Sequence, residues 1–167
     1  MSIDGFIATK DDDISWLSIV DRQGEDYGYK AFSKSVDSYI VGRKTYDKVI
    51  KMVGNFPPAR EFKCYILSRT KHGSEDGVTF YNGDVSALVS ELKKSSAGSI
   101  YCDGGGEVVR LLMEEDLIDE YIISIIPHIL GDGKRLFIGG VPGRNIELVS
   151  SRQYESGLVQ LKYQRRK

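Results

Sequence analysis

The sequence has little of several features that mark particular protein classes. Its 167 residues include two histidines and two cysteines, and Cys64 and Cys102 have no CxxC spacing, so neither a disulfide framework nor a metal centre is expected. Lys and Arg number 23 against 24 Asp and Glu, a balance that gives no electrostatic reason to expect a nucleic-acid or anionic-membrane partner. No apolar run approaches the roughly 20 residues of a membrane helix. The start, Met1–Gly5, lacks the basic and apolar regions of a secretory signal, so a cytoplasmic location is predicted.

Glycine, by contrast, is abundant. The chain has 18 glycines, about 11% of its residues against a usual value near 7%. Several follow strand-like runs or cluster, as at Gly104–Gly106, where glycine indicates tight turns or close approach of the backbone to another group. The length suits one domain, and no linker-like segment divides it, so a single domain spanning residues 1–167 is predicted.

Helical and strand-like patterns alternate along most of the chain. A helix is predicted over Glu25 to Val36, because Tyr29, Phe32 and Val36 recur at spacings of three and four. Other predicted helices are Thr45–Met52, one that begins after the N-cap Asp84, and one over the face from Val108 to Glu115. Predicted strands are Tyr39–Val41, Cys64–Leu67, Val78–Tyr81, Ser99–Cys102 and Tyr121–Pro127.

The pattern changes near the C-terminus, where strand-like segments follow one another without helices. They are Leu130–Gly133, Ile146–Val149 and Leu158–Gln164. In the last of these, apolar and polar residues alternate as in a half-exposed antiparallel strand. The whole pattern predicts a three-layer α/β protein with a mostly parallel central sheet, antiparallel C-terminal strands and helices on both faces.

Three segments leave the carboxyl ends of predicted strands, where such sheets bind ligands. Gly42-Arg43-Lys44-Thr45 places cations and a hydroxyl at a helix start, which suits phosphate. Gly104-Gly105-Gly106-Glu107 allows close backbone approach to a pyrophosphate, and Ser68-Arg69 adds a guanidinium for a further phosphate. Each segment alone also fits an ordinary turn or a solvated charge. Together they favour a dinucleotide with an extra phosphate, NADP(H) rather than NAD(H), although the spacing is not that of the GxGxxG fingerprint.

These segments, with Ser2-Ile-Asp-Gly-Phe-Ile-Ala8, stand in an order that resembles dihydrofolate-reductase-like proteins. Leu117–Glu120 and Ile126–Phe137 resemble the reductase domain of bacterial riboflavin biosynthesis more than dihydrofolate reductase itself. The resemblance covers almost the whole chain. It implies the dihydrofolate-reductase-like fold, a homodimer, and an oxidoreductase that transfers hydride from NADPH to a pterin-like or ribosylaminopyrimidine-like small molecule.

The resemblance also implies roles for individual residues. Gly42, Arg43, Lys44 and Thr45 are expected at the NADPH phosphates, and Ser68 and Arg69 at the 2′-phosphate. Gly104, Gly105, Gly106 and Glu107 are expected beside the pyrophosphate and nicotinamide, with Ala8 at the nicotinamide edge. The matching glycine pair of dihydrofolate reductases contains a cis peptide, so a cis Gly104–Gly105 bond is expected.

The chain departs from the family pattern in two ways. The family has a full apolar strand ahead of the segment that begins at Ser2, so we expect that central strand to be missing or truncated here. The family's proton-donating carboxylate also has several candidates near the first helix. Asp26 fits best by its spacing to Gly42, whereas Glu25 fits by its place on the apolar helix stripe. The alternative function is a non-catalytic nucleotide-binding module of the same fold.

Overall fold

The computed structural model describes residues 1–166 and divides them into two compact units. One unit runs from Asp26 to Glu115, and the other joins Met1–Glu25 to the residues from Asp116 onward. The predicted domain ends at Lys167, which lies outside the described residues. The helices are α1 (Tyr29–Ser33), α2 (Arg43–Val53), α3 (Val85–Ser95) and α4 (Gly106–Glu114), with 3₁₀ turns at Ser15–Val20 and Pro57–Arg60. The strands are β1 (Phe6–Ala8), β2 (Val36–Gly42), β3 (Lys63–Leu67), β4 (Gly73–Glu75), β5 (Val78–Tyr81), β6 (Ser99–Cys102), β7 (Glu120–Ile125), β8 (Lys134–Arg135), β9 (Ile146–Gln153) and β10 (Val159–Arg165).

A five-stranded sheet forms the centre of the unit from Asp26 to Glu115. Its strand order is β4-β5-β3-β2-β6. Strands β5, β3, β2 and β6 run parallel, and β4 is antiparallel to β5. The middle strand β2 is buried at nearly every position from Val36 to Val41, as expected for a parallel strand that is covered on both faces.

The two faces of this sheet carry different helices. On one face Tyr39 and Val41 join a buried cluster with Tyr46 of α2 and with Phe56. On the other face the Cβ position of Gly42 lies 3.0 Å from Val108 of α4, and α3 contacts β6. The mixed α/β fold with a mostly parallel central sheet and helices on both faces is therefore confirmed.

The other unit contains only short or antiparallel strands. β7, β10 and β9 form a three-stranded antiparallel sheet, and β1 pairs with β8. Val159, Leu161 and Tyr163 pair with Ile125, Ile123 and Tyr121, so the alternation along the last strand predicted its pairing mode correctly. Among residues 1–166, no helix has the length and apolar character needed to cross a membrane.

Two predicted element assignments need correction, and one short strand is absent from the sequence predictions. The helix predicted from Glu25 to Val36 is only Tyr29–Ser33, because Tyr27 and Gly28 take left-handed φ angles of 54° and 81° and Val36 already belongs to β2. Residues 130–133 form a loop rather than a strand. The short strand β4 pairs antiparallel with β5, and its exposed Gly-Ser-Glu sequence has no hydrophobic pattern from which it could be predicted.

The start of the chain makes little sheet. Ser2 forms a single parallel bridge with Ile126, and the first full strand begins at Phe6. Within the described residues β6 pairs only with β2, and β7 only with β10. The expectation that the central strand ahead of Ser2 is missing or truncated stays a prediction.

Candidate functional site

The three glycine- or serine-led segments follow neighbouring strands of the five-stranded sheet. β3, β2 and β6 lie side by side and parallel, so their carboxyl ends meet at one edge. Ser68 follows β3, Gly42 ends β2, and Asp103 follows β6. The predicted convergence of these segments at one edge therefore has its basis in the strand order.

Two helix starts are joined directly at this edge. The Gly42 amide donates to the Gly104 carbonyl oxygen at 2.9 Å, and the Asp103 amide donates to the Ile40 carbonyl oxygen at 3.1 Å. The Gly104–Gly105 peptide is cis, as the resemblance implied. Gly104 has a φ of +86°, a region that glycine enters without steric cost. The Cβ position of Gly105 lies 3.5 Å from the Thr45 hydroxyl, which places the second helix start against the first.

The N-termini of α2 and α4 keep their backbone donors free of side-chain caps. In the described chain, no side chain caps either helix at Gly42 or Gly105. By contrast, the Asp84 carboxylate accepts from the amides of Ser86 and Ala87 at the start of α3, as predicted. Uncapped N–H groups and the positive end of the helix dipole together attract anions, so these two adjacent starts are suited to a pyrophosphate.

Cations flank the edge at α2 and in the turn after β3. Arg43 donates through Nε to Asp47 at 2.6 Å and lies over the ring of Phe80. Lys44 and Arg69 are exposed. A groove of about 540 Å³ lies beside α2, and Arg43 and Lys71 are among the residues that line it.

Asp103 is a functional candidate that the sequence analysis did not identify. It follows β6 directly before the glycine turn and is exposed as a residue, yet its carboxylate is bonded to two tyrosine hydroxyls. Tyr101 donates to Oδ1 at 2.7 Å, and Tyr39 donates to Oδ2. Desolvation raises the pKa of Asp103, while the two tyrosine hydrogen bonds act in the opposite direction. A carboxyl with a raised pKa beside a ligand site can donate a proton.

The two tyrosines are positioned by the sheet itself. Tyr39 of β2 and Tyr101 of β6 are register partners, and their rings meet edge to face at 5.2 Å. Burial raises the pKa of both hydroxyls, so they remain donors to the carboxylate. In the sequence, Tyr39 and Tyr101 stand in separate predicted strands, and Asp103 follows the second one. This pattern points to a tyrosine–carboxylate cluster only when β2 and β6 are known to be neighbours.

The acids predicted from the sequence have different surroundings. The Asp26 carboxylate accepts from the amides of Lys30 and Gly28, each at 3.0 Å, and these bonds lower its pKa. Asp26 therefore fixes the turn that leads into α1. Glu25 lies before α1 begins at Tyr29, so the helical-stripe argument for Glu25 is wrong. The assignment of either residue as the proton donor stays a prediction.

Ala8 belongs to the other compact unit. It is buried in β1 and pairs with Lys134 of β8. A Cβ atom at Gly133 would lie 2.2 Å from the Ala8 carbonyl oxygen, so the chain before β8 passes directly against Ala8. The structure thus brings together the predicted residues of α2, the β3 turn and the glycine turn, whereas Ala8 and Glu25 belong to the other compact unit.

Comparison with known proteins shows the family of the chain. Residues 1–160 match the family described as "RibD C-terminal domain". The chain belongs to this family. Another similar protein is the uncharacterized protein YwjB of Bacillus subtilis (strain 168), 37% identical over 99% of this chain and 94% of its own length.

Two solved structures have folds similar to that of this member of the RibD C-terminal domain family. One is the "Putative riboflavin biosynthesis protein" of Shewanella sp. PV-4, with a TM-score of 0.90, 29% identity, and coverage of 100% of this chain and 96% of that one. The other is dihydrofolate reductase from Enterococcus faecalis, complexed with NADP(H), with a TM-score of 0.71, 14% identity, and coverage of 100% and 93%. The second likeness shows the fold alone. Family and fold together support a reductase-like role.

Proposed function

We propose that this chain is an NADPH-dependent oxidoreductase that reduces a C=N or similar bond in a pterin-like or ribosylaminopyrimidine-like small molecule. The observation that carries the proposal is the Gly42–Gly104 hydrogen bond, which joins two uncapped helix starts at one sheet edge. NADPH, when bound, supplies the hydride. Membership of the RibD C-terminal domain family supports the reductase class.

The residues at the sheet edge where β3, β2 and β6 end fit this cofactor. The starts of α2 and α4, which have no side-chain caps, and the Thr45 hydroxyl are proposed to bind the phosphate groups. Gly42, Lys44 and Gly104–Glu107 belong to these two segments, and Arg43, Ser68 and Arg69 are proposed to bind the 2′-phosphate. A Cβ atom at Gly42 would lie 3.0 Å from Val108, so glycine at this position lets the end of β2 pack closely against α4. Ala8 is proposed at the nicotinamide edge, and residues 1–167 are proposed to act as a single domain.

Proton delivery is proposed for Asp103. Asp103 lies directly before the glycine turn, and desolvation raises the pKa of its carboxyl. Asp26 is the second candidate and Glu25 the third. The Asp26 pKa is lowered by backbone hydrogen bonds, which opposes protonation near neutral pH, so the structure favours Asp103 over Asp26.

The experiment is a substrate panel of dihydrofolate, pterins, flavin precursors and ribosylaminopyrimidines with NADPH. Loss of nicotinamide absorbance with one compound of the panel supports the proposed reductase activity. Tight NADPH binding without turnover of any member favours the alternative function, a nucleotide-binding module of the same fold. Absence of both binding and turnover contradicts the proposal.

We further propose that the protein forms a homodimer. Support comes from β9, which is exposed along its whole length and carries Ile146, Leu148 and Val149. Exposed contiguous apolar residues are typical of interaction surfaces. Light scattering after size exclusion should give twice the mass of one chain, and a single-chain mass would contradict the dimer.

A further inference from the structure

Two cations from different segments lie over one aromatic ring. The Lys71 Nζ is 4.0 Å from the centroid of the Phe80 ring, and the Arg43 guanidinium carbon is 5.3 Å from the same centroid. Phe80 is buried in β5 and is held edge-on by Tyr46 at 5.5 Å. The ring therefore acts as a fixed surface that holds two positive charges near each other.

The turn after β3 places Lys71 there. The Ser68 hydroxyl oxygen accepts from the amide of Lys71 at 3.0 Å and from that of Thr70 at 3.3 Å. These bonds fold the chain back just beyond the end of β3. Arg69, two residues earlier, is exposed. Lys71 is thus the cation of this turn that contacts Phe80, and Arg43 contacts the same ring.

Each cation is partnered by one half-exposed carboxylate. Arg43 pairs through Nε with Asp47, whose side chain is 51% exposed. Lys71 pairs with Glu75, whose side chain is 54% exposed. Ion pairs at such exposure contribute little to stability, so an incoming anion can take their place. Arg43 and Lys71 both line the groove of about 540 Å³ beside α2, together with Asp47, Glu75 and Asp76, so an anion that reaches the two cations competes with these carboxylates.

The charge of this pair suits a phosphate monoester better than a pyrophosphate. A monoester has a second pKa of about 6 and carries close to two negative charges at neutral pH. Two cations that contact one ring match that dianion, and the planar fork of arginine can bind two of its oxygens. The helix starts at Gly42 and Gly105, which have no side-chain caps, suit the less charged phosphates of the pyrophosphate bridge.

We propose that Lys71, acting with Arg43 over Phe80, binds the 2′-phosphate and determines the preference for NADPH over NADH. This inference rests on the proposed function. It adds to the predicted Ser68–Arg69 site a cation that the sequence analysis did not assign. Glu75 competes with the phosphate for Lys71 and thereby sets how tightly the cofactor binds.

The test is titration of purified variants with NADPH and with NADH, read by calorimetry. Lys71→Met should weaken NADPH binding by about tenfold or more, the loss expected for a charge-assisted contact, and leave NADH binding unchanged. Glu75→Gln should tighten NADPH binding and also leave NADH unchanged. Lys71→Arg should keep the preference. Lys51→Met, which removes one exposed cation elsewhere on α2, is the matched control.

Circular dichroism melts of each variant separate loss of folding from loss of binding. If folded Lys71→Met keeps the NADPH-to-NADH affinity ratio of Lys51→Met while the wild type binds NADPH, the inference is overturned and the proposed function stands. If the wild type binds neither cofactor, the proposed function fails and this inference fails with it.

Discussion

The amide of Gly42 donates a hydrogen bond of 2.9 Å to the carbonyl oxygen of Gly104. These residues are far apart in the chain, yet each stands at the start of a helix, α2 in one case and α4 in the other. The bond brings two sets of unpaired backbone donors to one edge of the sheet. Strand order alone, with β2 beside β6, makes this arrangement possible.

The first prediction concerns the proton donor. Asp103→Asn should lower turnover by on the order of 100-fold once a substrate is known, since general acid catalysis contributes about 10²–10⁴. Only the protonated carboxyl can donate, so wild-type turnover should fall as pH rises through the Asp103 pKa, which desolvation raises. The pH profile of initial rates measures this, and the Asn variant should lose that limb.

Asp26→Asn provides the comparison for Asp103. The sequence argument expects this change to lower turnover tenfold to a thousandfold, whereas the backbone hydrogen bonds of Asp26 give it a structural role with a lowered pKa. Unchanged turnover in Asp103→Asn with loss in Asp26→Asn would reverse the assignment. NADPH affinity, measured in parallel, should be the same for both variants and the wild type.

The second prediction concerns packing at Gly98. A Cβ atom there would lie 2.5 Å from the carboxyl carbon of Asp37, which accepts hydrogen bonds from the Gly98 amide and the Ser96 hydroxyl. Gly98→Ala must therefore displace Asp37 and should lower the thermal midpoint by roughly 3–8 °C, as expected for overpacking in a domain of this size. Gly139→Ala is the control, because its added Cβ meets nothing within 4 Å. Equal melting temperatures for the two variants would contradict the prediction.

The third prediction concerns Asp4 and pH. Its carboxylate accepts from the Ser2 hydroxyl at 2.6 Å and from the amides of Leu130 and Gly131 at 3.1 and 2.7 Å. These bonds, the Ser2 hydroxyl first, lower the Asp4 pKa from 3.8 to about 2. A depressed pKa contributes stability above the unfolded value of 3.8, and that contribution is lost as pH falls through about 2.

Asp4→Asn should therefore be less stable than the wild type at pH 7, and the difference should shrink as pH falls from 4 towards 2. Urea midpoints across this range measure the effect. Asp11→Asn, which changes another exposed acid of the same segment, is the control. A stability difference that stays constant down to pH 2 would show that the carboxylate charge is not what holds the 130–131 loop.

The sequence predicts the long, strongly patterned elements of this fold well. Buried apolar runs such as Tyr39–Val41 are typical of core strands, and Asp84 caps its helix, as its side-chain chemistry favours. The predicted helix from Glu25 failed because the left-handed turn at Tyr27 and Gly28 depends on local hydrogen bonds to Asp26. The spacing of apolar residues along the sequence does not reveal such side-chain-to-backbone hydrogen bonds.

For the site, the sequence identifies the segments and the structure identifies their partners. Glycines and cations after strands could be recognised from residue type alone. Asp103 and Lys71 could not, because their importance comes from Tyr39, Tyr101 and Phe80 on neighbouring strands. Contacts across a parallel sheet depend on strand order, which residue spacing does not specify.

Calorimetric titration of the wild-type protein with NADPH and NADH tests the central claim most directly. The account predicts saturable binding of NADPH that is about tenfold or more tighter than binding of NADH, because a charge-assisted contact to the 2′-phosphate contributes about 1.5–3 kcal/mol. Arg43→Met should remove most of that difference. Equal dissociation constants for the two cofactors, or no binding of NADPH, would contradict the account.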